Sequence, residues 1–152
     1  HKSGTGKVEK ELNKLAKNEI RHTRDLDHPN VIKLFDYSAQ QTYISESGRE
    51  TEVFYLALEY VNGGELFDFV CQTGRFSEEI ARYYFTQLLD ALEYIHENGL
   101  SHLDIKLQNI LMDSEFNLKL ADFGFSSHQS KNETFKGSGE FMAPEILLGN
   151  PY

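Results

Sequence analysis

The chain holds a single cysteine, Cys71. No internal disulfide can form, and no cysteine–histidine set has zinc spacing. That pattern suits a reducing compartment, and a cytoplasmic location is expected. Basic residues are few: 15 Lys and Arg stand against 24 Asp and Glu, a net charge of −9. An acidic chain without a basic stripe interleaved with aromatics is not built to follow a phosphate backbone, so no nucleic-acid partner is expected. No apolar run approaches the roughly 20 residues that span a bilayer, so no membrane segment is expected. No amino-terminal stretch reads as a secretory signal, and no repeat recurs along the chain. What is present is ordinary for a globular protein: 39% hydrophobic and 26% charged residues, in 152 residues, enough for one domain with a real core. The chain opens on His1 and stops at Asn150-Pro151-Tyr152, which reads as a piece of something longer.

Ser3-Gly4-Thr5-Gly6-Lys7 faintly matches the end of a phosphate-binding loop, but the earlier glycine and the preceding strand are missing. From Val8 to about Leu26, apolar residues recur near helical spacing among many charges, which predicts a helix with one partly buried face. Glu19 lies in that face, as a solvated edge or as the partner of a cation elsewhere. Asp27-His28-Pro29-Asn30 stops the helix, because the residue before proline disfavours helical geometry. Val31–Tyr37 reads as a strand. Ser38–Glu52 reads as a long exposed loop. Val53–Val61 is nearly all apolar and predicts a strand buried on both faces. Asn62-Gly63-Gly64 ends it, where a backbone can pass close to something. A short helix follows from Glu65. Ser77 caps a long amphipathic helix carrying Ala81, Phe85, Leu88, Leu92 and Ile95, with Asn98-Gly99 as its stop. Asn109–Met112 and Asn117–Leu120 predict two short strands joined as a hairpin. Ser126–Gly139 reads as a mobile loop, and Phe141–Glu145 begins another ordered segment.

Chemistry concentrates between Ser101 and Leu111. Asp104, Lys106 and Asn109 place an acid, an amine and an amide within six residues, directly before buried chain. A polar turn would also account for them in isolation. The hairpin changes that reading: its two ends come together, so Asn109 and Asp122 face one small volume with Asp104 and Lys106 nearby. Oxygen ligands of this kind suit magnesium bridging to substrate phosphates. The amine can neutralise transferred phosphate, and the remaining carboxylate can orient or deprotonate an attacking hydroxyl. The spacing therefore points to phosphoryl transfer from a metal-bound nucleotide. Paired carboxylates of a glycosidase are the competitor, but they leave Lys106 and Asn109 without a task.

These residues resemble a eukaryotic protein kinase domain. His102-Leu103-Asp104-Ile105-Lys106-Leu107-Gln108-Asn109 is similar to the catalytic loop, Asp122-Phe123-Gly124 to the DFG motif and Ala143-Pro144-Glu145 to the APE motif. The resemblance covers nearly the whole chain. It implies an α+β, bilobal kinase-like fold, truncated, with residues 1–61 as the remainder of the N-lobe and hinge and 62–152 as the first part of the C-lobe. In the family's own labels, which differ from this chain's own numbering, the implied elements are αC, β4 and β5 in the first part, then αD, αE, the β6–β9 region and the activation segment. Asn62–Phe67 and Gly74–Glu78 resemble the calcium/calmodulin-dependent kinase-like group. Regulation through a calcium sensor is an expectation of that subgroup which no residue of this chain carries.

The resemblance also implies roles. Asp104 is the catalytic base, and Lys106 contacts the γ-phosphate as in serine/threonine kinases. Asn109 and Asp122 hold Mg2+. Glu59 to Val61 form the hinge that bonds the adenine of ATP, Leu58 is the gatekeeper, Glu65 reaches the ribose and Leu111 floors the base. Glu19 is the αC glutamate. Phe123, His102 and Leu34 stack between the lobes, and Ser138 bonds the catalytic Asp. Ser126, Ser127, Ser130 and Thr134 are candidate phosphosites. The implied partner is a protein with a Ser or Thr acceptor.

Four departures from the family pattern stand out. No glycine-rich loop or β3 lysine precedes Glu19, so the piece alone is expected to bind ATP poorly and to show no appreciable kinase activity. Leu103 replaces the arginine that reads activation-loop phosphate, so Thr134→Ala is expected to have little effect on the whole enzyme. Leu107-Gln108 replaces Pro-Glu, which weakens any preference for arginine in substrates. Thr23 falls where the stacked column is usually apolar. A pseudokinase scaffold is the rival reading, and a non-kinase acidic interaction domain is a remote third.

Overall fold

A computed structural model describes residues 14–128 and 138–149. The first helix, α1, is described over residues 14–23. Val8 and Leu12, expected on its buried face, lie outside the described residues, as does the stretch from Ser3 to Lys7. The helix ends three residues before Leu26, which turns back so that its N–H meets the Thr23 carbonyl at 3.1 Å. Ile20, His22, Thr23 and Leu26 are buried. Thr23 is completely enclosed, yet its hydroxyl donates to the Glu19 carbonyl at 2.6 Å. A threonine whose hydroxyl is satisfied within its own helix presents its methyl outward, so it can stand where an apolar residue is expected.

Strands β1 (Leu34–Ile44) and β2 (Glu50–Leu58) pair antiparallel from Leu34–Leu58 to Ile44–Glu50, with register shifts near Asp36 and between Ser38 and Gln41. This corrects two expectations. The polar stretch 38–52 is mostly strand, with only residues 45–49 as its turn. The apolar stretch from Val53 is not buried on both faces: Val53–Ala57 are half-buried and Leu58 is 38% exposed. Among the described residues the two strands form a sheet of their own. Strand pairing satisfies the backbone whatever the side chains are, so water on both faces permits polar residues along the whole hairpin.

Helix α2 (Leu66–Thr73) and helix α3 (Glu78–Glu97) follow. Ser77 caps α3 by accepting from the Ile80 N–H at 3.4 Å, with Glu78 and Glu79 in the first turn at the positive end of the helix dipole. Gly99 supplies the left-handed residue (φ 72°) just past its end. Burial is confined to the second half of α3. Ala91 and Ile95 are fully enclosed, while Phe85 is 59% exposed.

Strand β3 (Leu100–Ser101) pairs with β6 (Ser127–His128), and β4 (Ile110–Met112) with β5 (Leu118–Leu120). A turn of 3₁₀ helix, Leu107–Asn109, leads into β4. A second, Gly139–Phe141, precedes the short helix α4 (Pro144–Leu147). The core gathers Val31, Ile32, Leu66, Ala91, Ile95, Leu100, Ile110, Met112, Leu118, Leu120 and Phe123 around the β4–β5 hairpin. Asn30 ties the turn after α1 to that hairpin, its amide donating to the Leu118 carbonyl and to Gln87, both at 2.9 Å. Val31 is not in a strand but bridges Leu120 directly.

Gly63 explains how the 62–64 turn passes the hairpin. Its N–H donates to the Met112 carbonyl at 2.9 Å, and Met112 N–H returns a bond to Gly64 at 2.9 Å. A Cβ on Gly63 would lie 2.3 Å from that same Met112 oxygen. Any side chain there closes the gap that the backbone bonds need.

Candidate active site

The hairpin β4–β5 sets the frame. Ile110 pairs with Leu120, and the Ala121 N–H donates to the Asn109 carbonyl at 2.9 Å. The two strand ends therefore deliver Asn109 and Asp122 to the same edge, as the equal strand lengths require. His102 is buried on this edge. Its Nε2 lies 2.9 Å from the Ala121 carbonyl, and its Nδ1 lies 3.3 Å from the Asp104 N–H. A neutral ring with the proton on Nε2 satisfies both partners. Burial depresses the His102 pKa against the opposing pull of the Ala121 carbonyl, which keeps the ring neutral. Its ring meets Phe123 edge-on at 4.9 Å. Leu34, expected in the same column, is also buried.

The Asp104 carboxylate is enclosed, its side chain only 1% exposed. It accepts four hydrogen bonds. Oδ1 takes the Ser138 N–H at 2.8 Å and the Ser138 hydroxyl at 2.9 Å. Oδ2 takes Lys106 Nζ at 2.6 Å and Asn109 Nδ2 at 3.0 Å. Burial alone pushes this carboxyl up, but the bonds from Lys106, Ser138 and Asn109 together outweigh it and hold it below the usual carboxylate range. Lys106 Nζ also reaches the Ser138 hydroxyl at 3.1 Å. A cavity of about 210 Å³, bounded by Leu103, Asp104, Ile105, Ser138, Phe141 and Ile146, opens beside the group.

Two non-glycine residues with left-handed backbone flank this centre, Leu103 (φ 67°) and Asp122 (φ 62°). Such conformations persist only where the surroundings impose them, and they cluster at functional sites. Asp122 itself is exposed, with Oδ1 accepting from the Gly124 N–H at 3.2 Å. Both described bonds of the Asn109 side chain use Nδ2, to the Asp104 carbonyl and carboxylate. Its Oδ1 is left for a cation, and with the Asp122 carboxylate it makes an all-oxygen donor set that fits magnesium. No group of three or more His, Cys, Asp or Glu gathers around a point among the described residues. The fit thus rests on an amide and a carboxylate, with water and phosphate needed to complete the sphere.

Glu19 sits on the face of α1 turned toward this edge. Burial raises its pKa, Asp122 raises it further, and the Phe123 N–H offsets part of the effect. Among the described residues it has no ion-pair partner. Beside the hairpin, Glu65 bridges Leu111, which places the two next to each other. The Glu59 N–H donates to the Lys33 carbonyl at 2.7 Å, and its carboxylate pairs with Lys119 at 2.7 Å. No described hydrogen bond uses the Glu59 carbonyl or the Val61 N–H, so both remain open to a ligand. Leu58 lies at the end of β2, opposite Leu34.

One candidate phosphosite is corrected. Ser126 is completely buried, its hydroxyl donating to the Phe123 carbonyl and lying 2.6 Å from His22 Nδ1. A kinase cannot reach it there. Ser127 is half-buried in β6. Ser130 and Thr134 lie outside the described residues, as does most of the 126–139 stretch. Sequence reasoning also passed over Asn18 and His22, whose side chains bind the chain just after Asp122. Both look like solvated positions in a helix rich in charge. Asn18 stands three residues after Leu15 and His22 four after Asn18, with Glu19 between them, and that stripe was the available signal.

The fold of mixed helix and strand thus places a carboxylate, a lysine and an asparagine on one loop, with a second carboxylate at the same edge of the β4–β5 hairpin. The chain matches the family model of the protein kinase domain over residues 2–152, and it belongs to that family. It is 42% identical over 147 residues to CBL-interacting protein kinase 21 of Oryza sativa subsp. japonica, a match covering 93% of this chain and 26% of that protein. The chain thus spans about a quarter of the length of that relative. Among the described residues no helix is long and apolar enough to cross a membrane.

Proposed function

We propose that this chain is the catalytic part of an ATP-dependent protein serine/threonine kinase, transferring the γ-phosphate of Mg-ATP to a Ser or Thr hydroxyl of a protein. The observation that carries the reading is the ring of donors around Asp104, formed by Lys106, Asn109 and Ser138. Asn109 and Asp122 would hold the metal. Magnesium, when bound, spreads and neutralises phosphate charge. The acceptor hydroxyl enters by the cavity beside Asp104 and takes the place of one of its present donors. Asp104, held ionised, would align the hydroxyl oxygen and receive its proton as the new O–P bond forms and the bond from the γ-phosphorus to the bridging oxygen breaks, with ADP leaving. Because the carboxyl is held below the usual carboxylate range, alignment is its larger contribution. Lys106 carries its charge between Asp104 and Ser138, where it meets the negative oxygens of the transferred group.

The open Glu59 carbonyl and Val61 N–H suit the adenine edge, with Leu111 beneath the ring, Glu65 at the ribose and Leu58 behind. On this reading the chain divides into two lobes at Val61. The isolated 152-residue chain transfers phosphate poorly, since Glu19 pairs with no cation among the described residues while burial and the charge of Asp122 raise its pKa. A scaffold without chemistry has no use for all of Asp104, Lys106, Asn109 and Asp122.

The test is Asp104→Asn in the whole protein that carries this chain. Radiolabelled phosphate incorporation into Ser/Thr peptides should drop by about 10²–10⁴ while magnesium–nucleotide affinity stays within a few-fold. Equal incorporation by wild type and variant would overturn the reading.

A further inference from the structure

Helix α1 grips the chain immediately after Asp122 with one face. Asn18 spends both of its amide protons there, on the Gly124 carbonyl at 2.9 Å and the Ser126 carbonyl at 2.8 Å. One turn later, His22 Nδ1 lies 2.6 Å from the Ser126 hydroxyl. That hydroxyl has one proton and gives it to the Phe123 carbonyl. The proton in the His22–Ser126 bond therefore belongs to the histidine, which donates from Nδ1. The His22 ring also stands edge-on against His128 at 5.0 Å. Leu15 completes the face: a Cβ on Gly124 would come within 3.7 Å of the Leu15 Cβ and 3.1 Å of Asp122 Oδ1. Leu15, Asn18 and His22 follow one stripe of α1, and Glu19 lies within it.

What this stripe holds is a strained piece of chain. Asp122 has φ 62°, a conformation an L residue keeps only when its neighbours over-determine it. Strand β6 restrains the chain from the other side, through Ser127 and Ser101. Asp122 Oδ1 and the Ser126 hydroxyl bond within the segment itself; among the described residues, the side chains from other elements that bond residues 124–126 come from α1.

We propose that Asn18 and His22 are positioning residues that hold the Asp122 carboxylate in place through the backbone of residues 123–126, so that α1 sets the metal-holding geometry by permanent side-chain bonds. The proposal deepens the kinase reading and rests on it for the meaning of the Asp122 position. The clamp itself is decided by a measurement that needs no catalysis.

The experiment uses the whole protein carrying this chain, with Asn18→Leu and Ser126→Ala as separate variants. Amide hydrogen exchange is followed by mass spectrometry over peptides covering 122–128 and, as internal reference, the β4–β5 hairpin. The expected result is exchange at 122–128 at least about tenfold faster in both variants, with the hairpin unchanged within twofold. In parallel, Mn2+ binding in the presence of ATP should weaken about tenfold while the KM for acceptor peptide stays within twofold. Exchange at 122–128 that stays at the wild-type rate overturns the clamp. So does equal acceleration in both regions, which marks a merely structural role. If Asn18→Leu does not fold, Ser126→Ala decides alone. If the wild type neither binds Mn2+-ATP nor transfers phosphate, the kinase reading fails while the exchange result still decides the clamp.

Discussion

The β1–β2 hairpin and the β4–β5 hairpin are both antiparallel pairs, and they are built on opposite terms. The first runs through eleven- and nine-residue strands, yet Tyr43 and Ile44 stand 57% and 62% exposed. The second has three residues a side, with Ile110, Met112, Leu118 and Leu120 all buried. The long hairpin is held by its own backbone bonds. The short one is held from outside, by Asn30, Gln87 and the 62–64 turn. Rigidity at a reacting centre comes from this outside support, which is why the charged groups cluster at the ends of the shorter pair.

The sharpest way to break the contrast is Asn109→Ala. It removes the amide that bonds both the Asp104 carbonyl and carboxylate and, on the proposed reading, one oxygen that would hold the metal. Phosphotransfer should fall at least about a hundredfold. Stability should fall by about 1–3 kcal/mol, because the buried Asp104 groups lose a partner. Initial rates and urea denaturation measure the two effects. Gly63→Ala comes next. Its methyl collides with the Met112 carbonyl, so overpacking should cost about 1–3 kcal/mol in thermal unfolding. The same change at Gly48, in the turn of the long hairpin, meets no atom within 4 Å, and its cost comes only from the positive φ of 77°.

A third outcome concerns pH. Buried His102 has a folded-state pKa below its unfolded value, near 6.5. The unfolded state then binds more protons, so stability present above that value is lost as pH falls below it. Asp104 acts in the same direction at lower pH, since its pKa is also depressed: its contribution is present above about 3.9 and is lost as pH falls through the folded value. The His102 contribution to the melting temperature should therefore fall on going from pH 7 to pH 5, while Glu19, whose pKa is raised, acts in the opposite direction. His102→Gln should flatten that part of the profile. The smallest effect is Ile44→Ser at the far end of β1, which should change stability by no more than about 0.5 kcal/mol. A large loss there would mean that the long hairpin is not the independent element its exposure implies.

Much of the centre was legible in advance because its signals are local. Ser77 as cap, Gly99 as stop, and the short runs Ile110–Met112 and Leu118–Leu120 around Asp113–Asn117 each announce their geometry within a few residues. Gly63 was legible as a close approach, though not what it approaches. The stretch 38–52 was misread because water on both faces erases the alternation that marks a strand. The β3–β6 pair was missed because two residues carry no period. Ser126 was misread because a serine-rich segment looks exposed until a histidine 104 positions away is folded against it.

Taken alone, the order of residues determined which groups the site contains and which loop carries them. Asp104, Lys106 and Asn109 are close because the chain makes them close, and the hairpin that returns Asp122 is encoded in its own short strands. Tertiary structure decided the state of those groups. It buried Asp104 among four donors, left Glu19 half-buried where the charge of Asp122 raises its pKa, and hid Ser126 under α1. The physical reason is range. Turn and strand preferences act over a few bonds, whereas burial, charge and hydrogen bonding depend on whichever distant segment the fold brings into contact.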